Sequence, residues 1–100
     1  MEVKTHKEND IVTACLIGRL DTPAAQEIAQ EMTALLDEES GTIVLDCKDL
    51  TYISSSGLRI FLSLRKAANE KGGKMIVKDI NDDIRNVFMM TGFLNLFEVQ

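Results

Sequence analysis

Apolar and polar positions change period several times along this chain, and each change marks an element. Residues 2–8 alternate weakly, with Val3, Thr5 and Lys7 on one side and Lys4 and His6 on the other. That pattern predicts a half-exposed edge strand. Asn9-Asp10 is a two-residue turn signal, so a hairpin should lead into the next strand. Residues 11–19 are apolar on both parities, as expected for a strand inside a sheet, and Gly18 ends it or admits another backbone. Thr22 is then expected as the N-cap and Pro23 as the first residue of a helix. Ala25, Ile28, Ala29, Met32, Leu35 and Leu36 recur at intervals of three and four and give that helix one buried stripe. Asp37-Glu38-Glu39 and Ser40-Gly41 are expected to end it.

Residues 42–47 form a short strand, apolar on both faces, of the kind a helical crossover places parallel to its neighbour. Residues 48–53 read as a connection whose apolar members pack back on the core. A second helix is expected from about Ser56 to Lys71. Its polar wedge is narrow (Arg59, Ser63, Lys66, Glu70) and the rest of its circumference is largely apolar. So wide an arc exceeds a one-face docking stripe; neighbouring helices can bury part of it and a partner another part. Gly72-Gly73 supply a left-handed stop. Residues 74–78 make the fourth strand. Asn81 caps a third helix through about Met90 that buries Ile84, Val87 and Phe88, and Gly92 stops it. A short last strand fits near residues 97–99. The order β-β-α-β-α-β-α-β predicts a single α/β domain over residues 1–100. Its mixed sheet has an N-terminal antiparallel hairpin followed by right-handed parallel crossovers, with three main helices.

Composition narrows the functional classes. The 100 residues carry 11 basic and 16 acidic side chains, a net charge of −5, which argues against nucleic acid and anionic membrane as partners. No apolar run approaches the ~20 residues of a membrane span, and the first residues lack an apolar signal region, so a cytoplasmic protein is expected. Cys15 and Cys47 lie in strand-like runs with no metal-ligand spacing. They are expected as buried small apolar groups, with a redox pair as the alternative. His6 is expected as a solvated residue of the edge strand, without a chemical role. No phosphate loop, dinucleotide fingerprint or serine triad is present, so neither catalysis nor a cofactor is expected.

What remains is the junction Ser54-Ser55-Ser56-Gly57, where a strand-like run hands over to the second helix. Backbone N–H groups at a helix start lack helical partners and favour negative charge. A serine there can cap the helix, or a phosphate can be accepted. By sequence physics alone both uses stay open.

The run Tyr52-Ile53-Ser54-Ser55-Ser56-Gly57-Leu58-Arg59 resembles the signature of the STAS domain family, the bacterial anti-sigma factor antagonists. Their usual pattern is an aromatic or apolar pair followed by Asp-Ser-Ser/Thr-Gly-Leu. Gly18-Arg19-Leu20-Asp21, Ile43-Val44-Leu45-Asp46 with Asp49-Leu50, Gly72-Gly73-Lys74 and Thr91-Gly92-Phe93 fit the same family in order. The resemblance implies a STAS-like fold and a partner switch. Unmodified protein binds an anti-sigma factor, an ATP-binding serine kinase of the histidine-kinase-like type, and frees the sigma factor; phosphorylation turns it off. By position the phosphorylated residue is Ser55, with Asp21, Thr22, Ser54, Ser56, Gly57 and Arg59 around it on the docking surface. Ser54 stands where the family has aspartate. Arg59 stands where the family often has a small residue, and can pair with a phosphate or with a partner's acid. The free protein is expected to be a monomer. Two other readings remain: a STAS subunit of a transporter or other assembly without a phospho-switch, and a small anion- or nucleotide-binding module.

Overall fold

The computed structural model describes residues 1–36 and 41–100, apart from the side chains of Thr33, Leu35 and Leu36. The expected end of the first helix at residues 37–40 and the expected burial of Leu35 and Leu36 lie outside the described residues.

Strand β1 (Glu2–Glu8) turns at Asn9-Asp10 into β2 (Ile11–Leu20). The two pair antiparallel with Glu8 opposite Ile11, and Asn9 adopts the left-handed backbone (φ 55°) that such a tight hairpin requires. Helix α1 (Thr22–Leu36) follows, then β3 (Thr42–Asp46), β4 (Leu50–Ile53), α2 (Ser55–Glu70), β5 (Met75–Lys78), α3 (Asp82–Thr91), a 3₁₀ turn (Phe93–Asn95) and β6 (Glu98–Val99). The strand order is β1-β2-β3-β5-β6, and every pairing after the hairpin is parallel.

Residues 48–53 are more than a connection, because Leu50–Ile53 form a strand. β3 pairs with β2 over Ile11–Cys15, and β4 pairs with it over Gly18–Leu20, past an irregularity at Gly18/Arg19. Gly18 takes φ +103° there, and its N–H is bonded by the Asp49 carbonyl at 3.0 Å.

Burial alternates along the central strands, so β2 lies inside the sheet but has only one face covered. Val12, Ala14, Leu16, Ile43, Leu45, Met75 and Val77 are buried on the helix side, whereas Thr13, Cys15, Ile17, Val44 and Ile76 are half-buried on the other. Ala24, Ala25, Ile28 and Met32 of α1 and Leu58, Phe61, Leu64 and Ala68 of α2 complete the core. Phe61, Phe88, Phe93 and Phe97 form an aromatic cluster of edge-on and tilted pairs with centroids 5.6–6.2 Å apart, which ties α2, α3 and the C-terminal segment together. The wide apolar arc of α2 is thereby largely absorbed, with Ile60, Leu62 and Ala67 left half-buried.

The cysteines divide. Cys47 is buried and its thiol pushed up to about 12, chiefly by desolvation. Cys15 is half-buried rather than buried, and its thiol is raised by desolvation and by the neighbouring Asp46.

One expected cap moves. Asp21, not Thr22, caps α1: its Oδ1 accepts from the Ala24 N–H at 3.1 Å and its carbonyl from Ala25 N–H at 2.9 Å. Pro23 is therefore the second helical residue, where a missing N–H is still harmless. Asp and Thr are both competent caps. The short carboxylate takes the role, and the Thr22 hydroxyl is left for another contact.

Candidate functional site

β2 and β4 are parallel and end together, with Leu20 paired to Ile53. Their following residues, Asp21-Thr22 and Ser54-Ser55, therefore start α1 and α2 side by side. The Ser54 N–H donates to the Leu20 carbonyl at 2.9 Å and fixes the two junctions to each other.

Ser54 is the N-cap of α2. It is extended (φ −86°, ψ 170°), and its hydroxyl accepts from the Gly57 N–H at 3.1 Å. A serine thus takes the capping role at the position where the family pattern has aspartate. Ser55 is then the first helical residue, one earlier than expected, and is exposed. Among the described residues its hydroxyl has no hydrogen-bond partner. The N–H groups of Ser55 and Ser56 lie in the first turn, where the helix supplies no acceptors. No acidic side chain occupies that turn.

Ser56 faces α1. Its Oγ lies 3.2 Å from Thr22 Oγ1 and receives Arg59 Nη2 at 3.2 Å. Thr22, Ser56 and Arg59 thus form one chain of hydrogen bonds across the two helix starts. Thr22, Ser55 and Arg59 are exposed, as is Asp21, while Ser54 and Ser56 are half-buried.

Gly57 is buried because α2 begins hard against the sheet. A Cβ there would lie 2.8 Å from Leu20 Cδ2 and 2.9 Å from Ile53 Cγ1. The small residue brings the serine turn down onto the strand ends. All seven residues singled out from the sequence therefore sit within two adjoining helix starts, with Gly57 beneath the surface as a spacer.

Two neighbours escaped the sequence reading. The Arg19 guanidinium lies 4.2 Å from the centroid of the Tyr52 ring, and the two residues face each other across β2 and β4. Each precedes a helix start by a fixed short step, Arg19 before Asp21 and Tyr52 before Ser54. Tyr52 is 39% exposed. The parallel spacing of the two segments was the available signal, but it acquires meaning only once β4 is known to pair with β2.

A separate concavity of about 510 Å³ lies on the open sheet face, floored by Ile11, Val44 and Ile76, and shares none of these residues. Among the described residues no group of His, Cys, Asp and Glu could hold a metal ion, and no helix is long and apolar enough to cross a membrane.

The model of the STAS domain family matches residues 2–100. BtrV of Bordetella bronchiseptica, which carries an anti-sigma factor antagonist name, is 32% identical over 99 residues, covering 99% of this chain and 85% of its own. The anti-sigma F factor antagonist of Paenibacillus polymyxa is 27% identical over 100 residues, covering 99% and 86%. The solved structure of SpoIIAA in its unphosphorylated form superposes with a TM-score of 0.80 at 19% identity, over 99% of this chain and 87% of that one. The phosphorylated form of the Bacillus protein gives 0.79 at 20% identity, over 99% and 91%. These two likenesses establish the shared fold: six strands, three main helices, and an antiparallel hairpin leading into parallel strands. Fold, motif order and family match agree over the full length, and the chain belongs to the STAS domain family.

Proposed function

We propose that this chain is an anti-sigma factor antagonist switched by phosphorylation of Ser55. In the unmodified state the surface formed by Asp21, Thr22, Ser54, Ser55, Ser56 and Arg59, with Gly57 buried beneath it, docks on an anti-sigma factor, and the sigma factor is released. The anti-sigma factor is also the kinase. The γ-phosphoryl of ATP passes to Ser55 Oγ, the bond to ADP breaks, and the hydroxyl proton leaves to a base on the kinase. The chain itself is a regulator rather than an enzyme, working in the cytoplasm and monomeric when free.

The observation that carries this reading is the division of labour between Ser54 and Ser55. Ser54 holds the cap, so the exposed Ser55 hydroxyl can be modified without unmaking the helix start. A phosphoryl group adds about −1.5 to −2 charges. At a helix N-terminus the free domain accepts that charge favourably, by roughly 0.3–1 kcal/mol. In a complex that buries the same surface the anion must lose its water, at several kcal/mol. The modification therefore weighs on the complex and spares the fold.

The test uses the purified chain, ATP and the anti-sigma serine kinase of the same organism. Mass spectrometry should place one phosphate on Ser55 and none on a Ser55→Ala variant. Ser55→Asp should bind the kinase at least about 100-fold more weakly than wild type, a loss of about 2.8 kcal/mol. Absence of label at Ser55, or equal binding by Ser55→Asp, would overturn the proposal.

A further inference from the structure

Arg59 points back toward the start of its own helix, as helical side chains do. Its Nη2 donates to the Ser56 hydroxyl at 3.2 Å, and Ser56 is also engaged by Thr22. The guanidinium carries five N–H donors in a planar fork, and a neutral hydroxyl is a modest partner for it. Ser55 lies four residues before Arg59, on the same helical face, with the prospective anion N-terminal to the cation. That is the favourable orientation for an (i, i+4) ion pair.

We propose that Arg59 is an intramolecular clamp for phosphorylated Ser55, on the reading above that Ser55 is the modified residue. The guanidinium leaves the Ser56 hydroxyl and pairs with two phosphate oxygens, the geometry for which Arg is better suited than Lys. Phosphorylation then does two things to the surface. It adds an anion, and it withdraws the Arg59 cation that the unmodified chain presents. The start of α2, which carries Arg59 and no acid in its first turn, becomes net negative in one step, and the phosphate is held over that turn instead of swinging free. The Thr22–Ser56 contact needs no rearrangement, so the change stays local to α2.

The experiment uses full-length chain with phosphoserine installed at position 55 during translation, so that no kinase is needed. The second ionisation of the phosphate is followed by ³¹P NMR against pH. An adjoining cation favours the dianion, so the midpoint in otherwise wild-type chain should lie below that of Arg59→Gln by about 0.3–0.7 pH unit. Arg59→Lys should restore part of the shift, having charge without the fork. Ser56→Ala, which removes the competing acceptor, should keep the low midpoint. Arg59 is exposed, so unmodified Arg59→Gln should melt with wild type and serves as the folding control. Equal midpoints in wild type and Arg59→Gln would overturn the clamp. That failure is distinct from failure of the switch itself: the kinase assay reads whether Ser55 is modified, the titration whether Arg59 meets the phosphate.

Discussion

Helices α2 and α3 begin in the same way and at equivalent places, yet only one beginning is finished. Each follows a parallel strand, and each has an extended polar N-cap whose side chain accepts from the N–H three residues on: Ser54 from Gly57 at 3.1 Å, Asn81 from Ile84 at 2.9 Å. At α3 the first two helical residues are Asp82 and Asp83, so negative charge already meets the positive end of the helix. Asn81 also donates Nδ2 to the Leu50 carbonyl at 2.9 Å, which pins α3 to β4. At α2 the same two positions are Ser55 and Ser56, no acid is present, and a cation stands one turn on. The third helical residue differs as well: a buried Ile84 anchors α3 in the core, whereas Gly57 lets α2 settle onto Leu20 and Ile53. On the function proposed above, the contrast suits the start of α2 to switching: its cap is satisfied and its charge is not.

The largest expected effect separates the two starts by function. Ser55→Asp makes the first turn of α2 resemble that of α3 and should cost at least about 100-fold in binding to the anti-sigma factor. The reciprocal change, Asp82→Ser, should leave that binding within about twofold. Titration calorimetry on both variants reads the comparison directly. Equal losses would mean that the docking surface is not centred on α2.

Stability effects come next, and they should fall on α3 more heavily. Asn81→Ala removes a cap, typically ~1 kcal/mol, and also leaves the carbonyl of fully buried Leu50 without this donor. A loss of about 2–3 kcal/mol is expected by urea denaturation. Gly57→Ala should cost about 1–2 kcal/mol. The added methyl meets Leu20 and Ile53 within 3 Å, and this overpacking exceeds the gain in helix propensity. Ser54→Ala removes one cap bond and should cost about 1 kcal/mol, near 4–8 °C in melting temperature. An Asn81→Ala loss no greater than that of Ser54→Ala would remove the second role given to Asn81.

Much of this was legible because the chain is punctuated. Asn9-Asp10 marked the hairpin, and Asn81 with Gly92 bounded α3, where Gly92 takes φ +79°. The serine turn was legible as a helix start, since periodicity changes across it. The sequence could not choose between Asp21 and Thr22, adjacent residues that both cap well, and that choice is what leaves Thr22 free to meet Ser56. Nor was β4 readable. Leu50-Thr51-Tyr52-Ile53 buries its two ends and exposes its middle, an i, i+3 spacing that lacks the alternation of a half-buried strand. It is a strand because β2 continues past Gly18 and offers it an edge, a fact of distant pairing. The Arg19–Tyr52 stack was hidden for the same reason.

The smallest expected effect tests the charge argument in isolation from any partner. If both helix starts favour an anion and only that of α3 has one, gaining an acid at α2 and losing one at α3 should act with opposite signs and similar size. Ser55→Asp should stabilise the free chain by roughly 0.3–1 kcal/mol, because the carboxylate meets the helix dipole with Arg59 four residues on. Asp82→Asn should destabilise it by a similar amount. Both sites are exposed, so both effects should shrink as salt rises from about 0.05 to 1 M, where the screening length falls to about 3 Å. Thermal melts of the two variants at low and high salt are sufficient. A Ser55→Asp chain less stable than wild type at low salt would show that the first turn of α2 does not welcome negative charge. Phosphorylation would then act by disturbing the fold, not by altering the surface of an intact one.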